Sequence, residues 1–300
     1  MSGISEPQES ALKTVDVNGT QLHYIERGQE NNNKQSVVFT HGAVSDYRAW
    51  QFQIEPFSRQ YRVISYSRRH SYPNKVEEDF HFTAENDGIR QYASDLAELI
   101  KKLRLAPAHL IGHSDGAFVS LYCACKNPEL VKSLVLCEPP ILPLLATSSA
   151  EEDRKLSQDF WQNAVMPAGE AFREGDFENG VRIFLDGAMV RGFFDQLPPT
   201  VRQSMVDNAK AFLKQLDNPM PKEFNLQEVE EKISSSIPTL FVRGEFSPKF
   251  LHRIIDILAP HLHKSQQVTI PGVTHDVGRA TKPELFNSKV MEFLQRIHEL

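Results

Sequence analysis

The sequence predicts an α/β chain: a mostly parallel sheet with helices on both faces, interrupted by one all-helical insertion. Three observations carry this expectation. Short apolar runs that read as strands alternate with amphipathic helical periods over residues 1–140. That rhythm lapses from about Ile141 to Ile233 and resumes in the last stretch of the chain. Between these, an apolar run at Leu110–Ile111 leads straight into Gly112-His113-Ser114-Asp115-Gly116, a sharp turn followed at once by a helical pattern.

Residues 1–13 read as a loose polar leader. Thr14–Val17 and Gln21–Ile25 flank Asn18-Gly19, a pair whose ease in left-handed backbone favours a two-residue hairpin. Ser36–Thr40 is a continuous apolar strand ending in His41-Gly42-Ala43, followed by a helix through Trp50, Ile54 and Phe57. Tyr61–Tyr66 is the next strand, with a polar loop, Arg68-Arg69-His70-Ser71-Tyr72-Pro73-Asn74, behind it. Ile89, Tyr92, Leu96, Leu99, Ile100 and Leu103 mark a long amphipathic helix. After the Gly112–Gly116 turn, Ala117, Phe118, Leu121, Tyr122 and Cys125 share one helix face. Leu134–Cys137, apolar on both faces, is a central parallel strand that ends at Glu138-Pro139-Pro140.

In the following segment the helical stretches are Asp159–Val165, Asn179–Gly187 and Val201–Leu216. Pro and Gly clusters such as Leu197-Pro198-Pro199 and Asn218-Pro219-Met220-Pro221 separate them. The strand–helix rhythm then returns with Thr239–Val242, a helix through Phe250, Ile254, Ile255 and Leu258, the strand Gln267–Ile270, and a helix from Pro283. Residues 1–140 and 234–300 are thus expected to form the core. Residues 141–233 form an insertion over the carboxyl ends of the strands, where folds of this class bind ligands.

Composition narrows the function. Three hundred residues allow one large α/β domain or two small ones. A net charge of −6 without a basic block speaks against nucleic acid and anionic membrane as partners. Met1 to Thr14 lacks the apolar run of a signal peptide, and no apolar run approaches membrane-spanning length, so a cytoplasmic location is expected. The three cysteines, Cys123, Cys125 and Cys137, are too few for a disulfide framework and poorly spaced for a metal; they read as buried small side chains. No metal or organic cofactor is implied, and the expected partner is a small-molecule substrate; the sequence leaves a homodimer open.

The chemistry is concentrated in few residues. A serine at the tip of a Gly-x-Ser-x-Gly turn is held out above the sheet, and side chains at the flanking glycines would strike the neighbouring backbone. The backbone N–H of Asp115, at the start of the next helix, is placed to stabilise an oxyanion. A serine hydroxyl is a weak nucleophile and needs a base. Of the eleven histidines, His275 fits best, on the loop after the last strand (Ile270-Pro271-Gly272-Val273-Thr274-His275). His113 is expected to support the turn and His41 to shape the loop after its strand. His252, His261, His263 and His298 lie in or beside exposed helices. The second oxyanion donor is expected from Ala43.

Together, His41-Gly42, Gly112-x-Ser114-x-Gly116 and Gly272-x-x-His275 before a C-terminal helix resemble the α/β-hydrolase fold family over almost the whole chain, with residues 141–233 standing where its members carry a helical cap. The resemblance implies a third catalytic member, an acid, three residues beyond the glycine of Phe241-Val242-Arg243-Gly244-Glu245-Phe246-Ser247. That position is Ser247, which carries no charge. Two carboxylates could replace it. Glu138 ends the preceding strand, where some relatives place their acid, and is favoured; Glu245 lies two residues before the usual place. Relatives that open epoxides or displace halide carry a carboxylate at the centre of the turn, and this chain has Ser114 there.

The expected activity is therefore serine hydrolysis by an acyl-enzyme route on a small to medium, largely apolar ester, lactone or related carbonyl compound, including carbon–carbon cleavage of diketones. Ser114, Glu138 and His275 would be catalytic, with Ala43 and Asp115 as oxyanion donors. The alternatives are a cofactor-free lyase, cyclase or perhydrolase on the same fold, and a non-catalytic ligand-binding receptor. Of the aromatics in the insertion (Phe160, Trp161, Phe172, Phe177, Phe184, Phe193, Phe194 and Phe212), two or three are expected to face a ligand. Arg68-Arg69-His70 is expected to brace loops rather than bind substrate.

Overall fold

A computed structural model describes residues 11–28, 34–83, 87–217 and 223–298. Most of the leader, the Asn218–Pro221 cluster and the side chain of His298 therefore lie outside the described residues. The chain opens with the expected hairpin, β1 (Lys13–Val17) and β2 (Thr20–Arg27). Asn18 (φ 44°) and Gly19 (φ 77°) turn it through left-handed backbone. Next come β3 (Ser36–Thr40), α1 (Gln51–Ser58), β4 (Arg62–Tyr66), α2 (Gly88–Lys102), β5 (Ala108–His113), α3 (Asp115–Lys126) and β6 (Val131–Cys137).

The eight strands lie in the order β1-β2-β4-β3-β5-β6-β7-β8, where β7 is Thr239–Gly244 and β8 is Ser265–Ile270. β1–β2 and β2–β4 pair antiparallel; every later pair is parallel. Side chains alternate across the sheet as the two-residue period requires. Val38, Leu110, Leu134, Leu136 and Phe241 enter the core beneath α2, α3 and α12 (Lys249–Leu258). Val37, Phe39, Ile111, Val135, Leu240 and Val242 enter the opposite core beneath α1 and α13 (Pro283–His298). α3 departs from a one-sided pattern: Asp115 to Leu121 and Cys123 to Cys125 are all buried, because it packs against both the sheet and α2.

Between β6 and β7 the described residues form helices and turns with no strand. These helices are α4 (Leu142–Ala146), α5 (Glu151–Phe160), α6 (Met166–Arg173), α7 (Phe177–Ala188), α8 (Phe193–Gln196), α9 (Pro199–Val206), α10 (Ala209–Leu216) and α11 (Leu226–Lys232). Phe172, Val181, Leu185, Phe194 and Phe212 give this segment a core of its own. Two details differ from the sequence reading. The stretch expected as one helix over Val201–Leu216 breaks at Asn208. Its side chain donates to Asp46 at 2.7 Å and to the Ser204 carbonyl at 2.7 Å, and accepts from the Tyr72 N–H at 2.8 Å. The two bonds to distant loops, at Asp46 and Tyr72, outweigh helical continuity there. Trp161–Val165 is a π-helical turn, joining α5 to α6 without a break. No helix among the described residues is long and apolar enough to cross a membrane.

The loops over the sheet are braced by buried polar groups. Arg69 pairs with Asp95 through two bonds of 2.9 and 3.0 Å, as a fork meets a carboxylate. His41 donates from Nδ1 to the Gly42 carbonyl (2.8 Å) and accepts the Arg68 N–H at Nε2 (2.9 Å), an arrangement open only to the neutral ring. Burial pushes His41 and His113 well below the usual imidazole range and His70 down to about 4. The three cysteines are free and buried, and burial pushes the Cys123 and Cys125 thiols up to about 12.

Two outcomes follow from this packing. Phe39 is fully buried on a central strand, stacked on Trp50 with ring centroids 4.7 Å apart. Phe39→Ala is expected to cost about 3–5 kcal/mol in urea unfolding at pH 7. The buried neutral histidines set the acid response. On acidification the unfolded chain binds protons that the folded chain refuses, so stability is full above the ordinary imidazole pKa of about 6.5 and declines below it. For His70 the decline runs down to about 4. Each such histidine contributes a slope of up to about 1.4 kcal/mol per pH unit. Urea midpoints at pH 7 and pH 5 measure it; equal midpoints would contradict the account.

Candidate active site

Ser114 stands between β5 and α3 at φ 54°, ψ −125°, a conformation costly for a residue with a side chain. The flanking glycines are required by space. A Cβ on Gly112 would meet the Gly116 carbonyl oxygen at 2.3 Å, and one on Gly116 would meet the Thr40 oxygen at 2.1 Å. With β3 this close beneath, the turn can only lift the serine off the sheet.

His275 arrives on the loop after β8, and its Nε2 lies 3.0 Å from Ser114 Oγ. Its Nδ1 lies 2.6 Å from Glu138 Oε2. A carboxylate oxygen only accepts, so Nδ1 carries the proton and Nε2 presents a lone pair to the serine. Glu138 follows β6 directly, is fully buried, and has φ 49° ahead of Pro139-Pro140. Its other oxygen accepts the Gly244 N–H at 2.8 Å. The three residues expected to be catalytic are thus brought into one hydrogen-bonded line.

The competing positions lie elsewhere. Glu245 accepts the Gly272 N–H at 2.7 Å, as a residue bonded to the neighbouring turn. Ser247 is buried and its hydroxyl has no partner. His113 donates from Nε2 to the His275 carbonyl at 2.6 Å, so it ties the serine turn to the histidine loop. Asp115 opens α3, where the N–H has no intrahelical acceptor. Its carboxylate accepts from Gln215 at 2.8 Å and lies 3.9 Å from Arg68. Ala43 lines the cleft with Ser114 and His275. The loop of Ala43 presses on the serine: a Cβ on Gly42 would approach Ser114 Cβ to 3.0 Å.

One contact escaped the sequence. His252, read there as an exposed helix residue, is half-buried on α12; its Nε2 donates to the Gly244 carbonyl at 2.8 Å and lies 3.8 Å from Glu138. No motif marks it, because its partner is a backbone atom.

An apolar pocket opens beside Ser114 and His275. Four of the insertion's aromatics line it, Phe160, Trp161, Phe184 and Phe212, rather than two or three. The π-helical turn starting at Trp161 holds an extra residue per turn, and the consecutive Phe160 and Trp161 share one wall. Phe172 and Phe194 are packed in the insertion's own core, with Phe177 and Phe193 against it. Among the described residues no group of three or more His, Cys, Asp or Glu side chains could hold a metal ion.

Comparison with known proteins identifies the fold. A family model described as the alpha/beta hydrolase fold matches residues 35–277. Epoxide hydrolase 1 of Caenorhabditis elegans is 24% identical over 285 residues, 92% of this chain and 68% of its own length. Among solved structures, the carboxylesterase CesB of Bacillus subtilis has a TM-score of 0.69 at 18% identity, covering 96% of this chain and 92% of its own. The enol-lactonase of Burkholderia xenovorans LB400 has a TM-score of 0.70 at 17% identity, covering 94% and 100%. With its sheet order, its glycine-flanked serine turn and a match spanning most of its length, the chain belongs to the α/β-hydrolase fold family.

Proposed function

We propose that this protein is a serine hydrolase that cleaves a small to medium, largely apolar ester, lactone or related carbonyl compound through an acyl-enzyme. One observation carries the reading: the unbroken line from Ser114 Oγ through the His275 ring to Glu138, at 3.0 and 2.6 Å. In the first step Ser114 Oγ bonds to the substrate carbonyl carbon while its proton passes to His275 Nε2. The carbonyl electron pair moves onto oxygen, which the N–H groups of Asp115 and Ala43 stabilise. As the carbonyl re-forms, the bond to the leaving group breaks and that group takes the proton from Nε2. Water, deprotonated by the same nitrogen, then attacks the acyl carbon and releases the acid and Ser114.

Glu138 holds the imidazole in the productive tautomer and balances its transient charge. Residues 141–233 act as a cap over the carboxyl ends of the strands, and the apolar pocket favours a substrate with an aromatic or aliphatic body. Epoxide opening, the activity in the nematode relative's name, is not carried over. The carboxylate nearest to Ser114 in sequence, Asp115, is bonded to Gln215, and the group facing His275 is a hydroxyl.

Two measurements test the reading. A fluorophosphonate is expected to label the wild-type protein and not Ser114→Ala, and an activated ester should give a stoichiometric burst of leaving group; a wild type that is neither labelled nor acylated would falsify the mechanism. Glu138→Gln is expected to lower kcat by up to about 10⁴-fold, because a misoriented imidazole costs that much in a comparable triad. Glu245→Gln, which alters only a turn contact, should stay within a few-fold of wild type. Equal losses in the two variants would remove Glu138 from its role.

A further inference from the structure

The cleft beside Ser114 has two lobes, which share Ser114, His275, Phe184 and Ala188. The first is the aromatic pocket described above. The second is walled by Leu185, Met189 and Met205, yet a basic residue, Arg279, also lines it. We propose that the second lobe binds a carboxylate carried by the substrate, with Arg279 as its counter-ion, so that the preferred substrates are acidic: esters whose acyl chain ends in a carboxylate. This rests on the acyl-enzyme reading of Ser114 and adds the charge of the substrate to it.

A guanidinium offers five N–H donors and is expensive to desolvate without an opposite charge. Here one terminal nitrogen donates to the Ala49 carbonyl, and the group lies 5.1 Å over the Trp50 ring. Its Nε is buried with no partner. Among the described residues no carboxylate stands within 4 Å of it. Asp276, the acid whose charge reaches it, has both oxygens occupied. They accept from the Gly278, Ala280 and Thr281 N–H groups at 3.3, 3.3 and 3.0 Å and from the Thr281 hydroxyl at 2.8 Å. Burial holds Arg279 below the usual guanidinium range, as expected of a cation whose desolvation the charge of Asp276 offsets only in part.

Of the other buried arginines of the loops, Arg69 is matched to Asp95 at 2.9 Å, while Arg68 lies 3.9 Å from Asp115 and leaves its Nε and one terminal nitrogen without a partner. Arg279 faces the cleft instead. A carboxylate there would accept from the terminal nitrogen not bonded to Ala49 and supply the missing charge. A single arginine among methionine and leucine carbon suits a monoanion on an apolar chain; a phosphate dianion would call for more donors than this lobe holds.

The test uses 4-nitrophenyl esters, whose aromatic leaving group suits the first lobe and so directs the acyl chain to the second. Mono-4-nitrophenyl succinate, glutarate and adipate are compared with 4-nitrophenyl butanoate, pentanoate and hexanoate, their neutral twins in chain length. For the best-fitting length the acidic ester is expected to have a kcat/KM at least about tenfold higher, carried mainly by KM, the size of effect one good ion pair gives. Arg279→Met should lower that ratio by about tenfold or more, and Arg279→Lys should retain part of it.

Because Arg279→Met can fail to fold, wild-type binding is measured as well. Glutaramate should bind more tightly than pentanamide by calorimetry and inhibit neutral-ester turnover at lower concentration. Neutral esters turned over with no acid preference at any length, or a ratio unchanged in Arg279→Met, overturn the proposal and leave the serine mechanism standing. Absence of a burst from every ester overturns the serine mechanism, and the calorimetric comparison then decides the carboxylate site by itself.

Discussion

The site depends on one buried hydrogen bond, from His275 Nδ1 to Glu138 Oε2. A carboxylate with no contact with solvent is tolerated only when its oxygens are satisfied. Glu138 meets that condition with the imidazole on one oxygen and the Gly244 N–H on the other. Both donors come from the far half of the chain, β7 and the loop after β8, whereas the acid ends β6. The bond therefore joins the sheet edge to its centre and leaves the opposite nitrogen free to face Ser114. Close backbone packing supports it: a Cβ on Gly244 would lie 2.2 Å from the Thr274 carbonyl oxygen. Only glycine lets β7 come so near the histidine loop.

Four of the residues at or beside this arrangement, Val44, Ser114, Glu138 and Val277, have positive φ without being glycine. Such backbone is unfavourable by about 1–3 kcal/mol per residue and persists only where surrounding packing enforces it. Val44 and Val277 are β-branched, which makes the left-handed region less accessible still. Their side chains explain how it is held. Val277 is fully buried in the core under α1 and α13, and Val44 packs with the core of the helical insertion. Apolar burial on one face of the sheet and in the insertion is thus converted into the placement of backbone at the cleft.

Much of this was legible in the sequence, for identifiable reasons. Short continuous apolar runs at Ser36–Thr40 and Leu134–Cys137 place the strands, and Asn18-Gly19 places the first turn, because these signals are local. The serine and histidine were legible because their chemistry demands glycine neighbours and a loop after the last strand. The charge missing at Ser247 calls for another acid, and Glu138 is favoured over Glu245 because some relatives place theirs after the preceding strand. What stayed hidden depends on partners far along the chain. Asn208 breaks a helix to reach Asp46, 162 residues away, and His252 answers to a backbone carbonyl. Arg279 carried no motif either; its interest lies in a counter-ion that the chain does not supply.

The acid's position couples two parts of the molecule. Glu138 is joined through Pro139-Pro140 to α4, the first helix of the insertion, and two stiff residues leave almost no slack in that linkage. Ile141, Leu142, Leu144 and Leu145 are themselves buried in the core beneath α2, α3 and α12. The backbone carrying the acid is therefore clamped at both ends, by the last residues of β6 and by a helix anchored in the sheet's own hydrophobic packing.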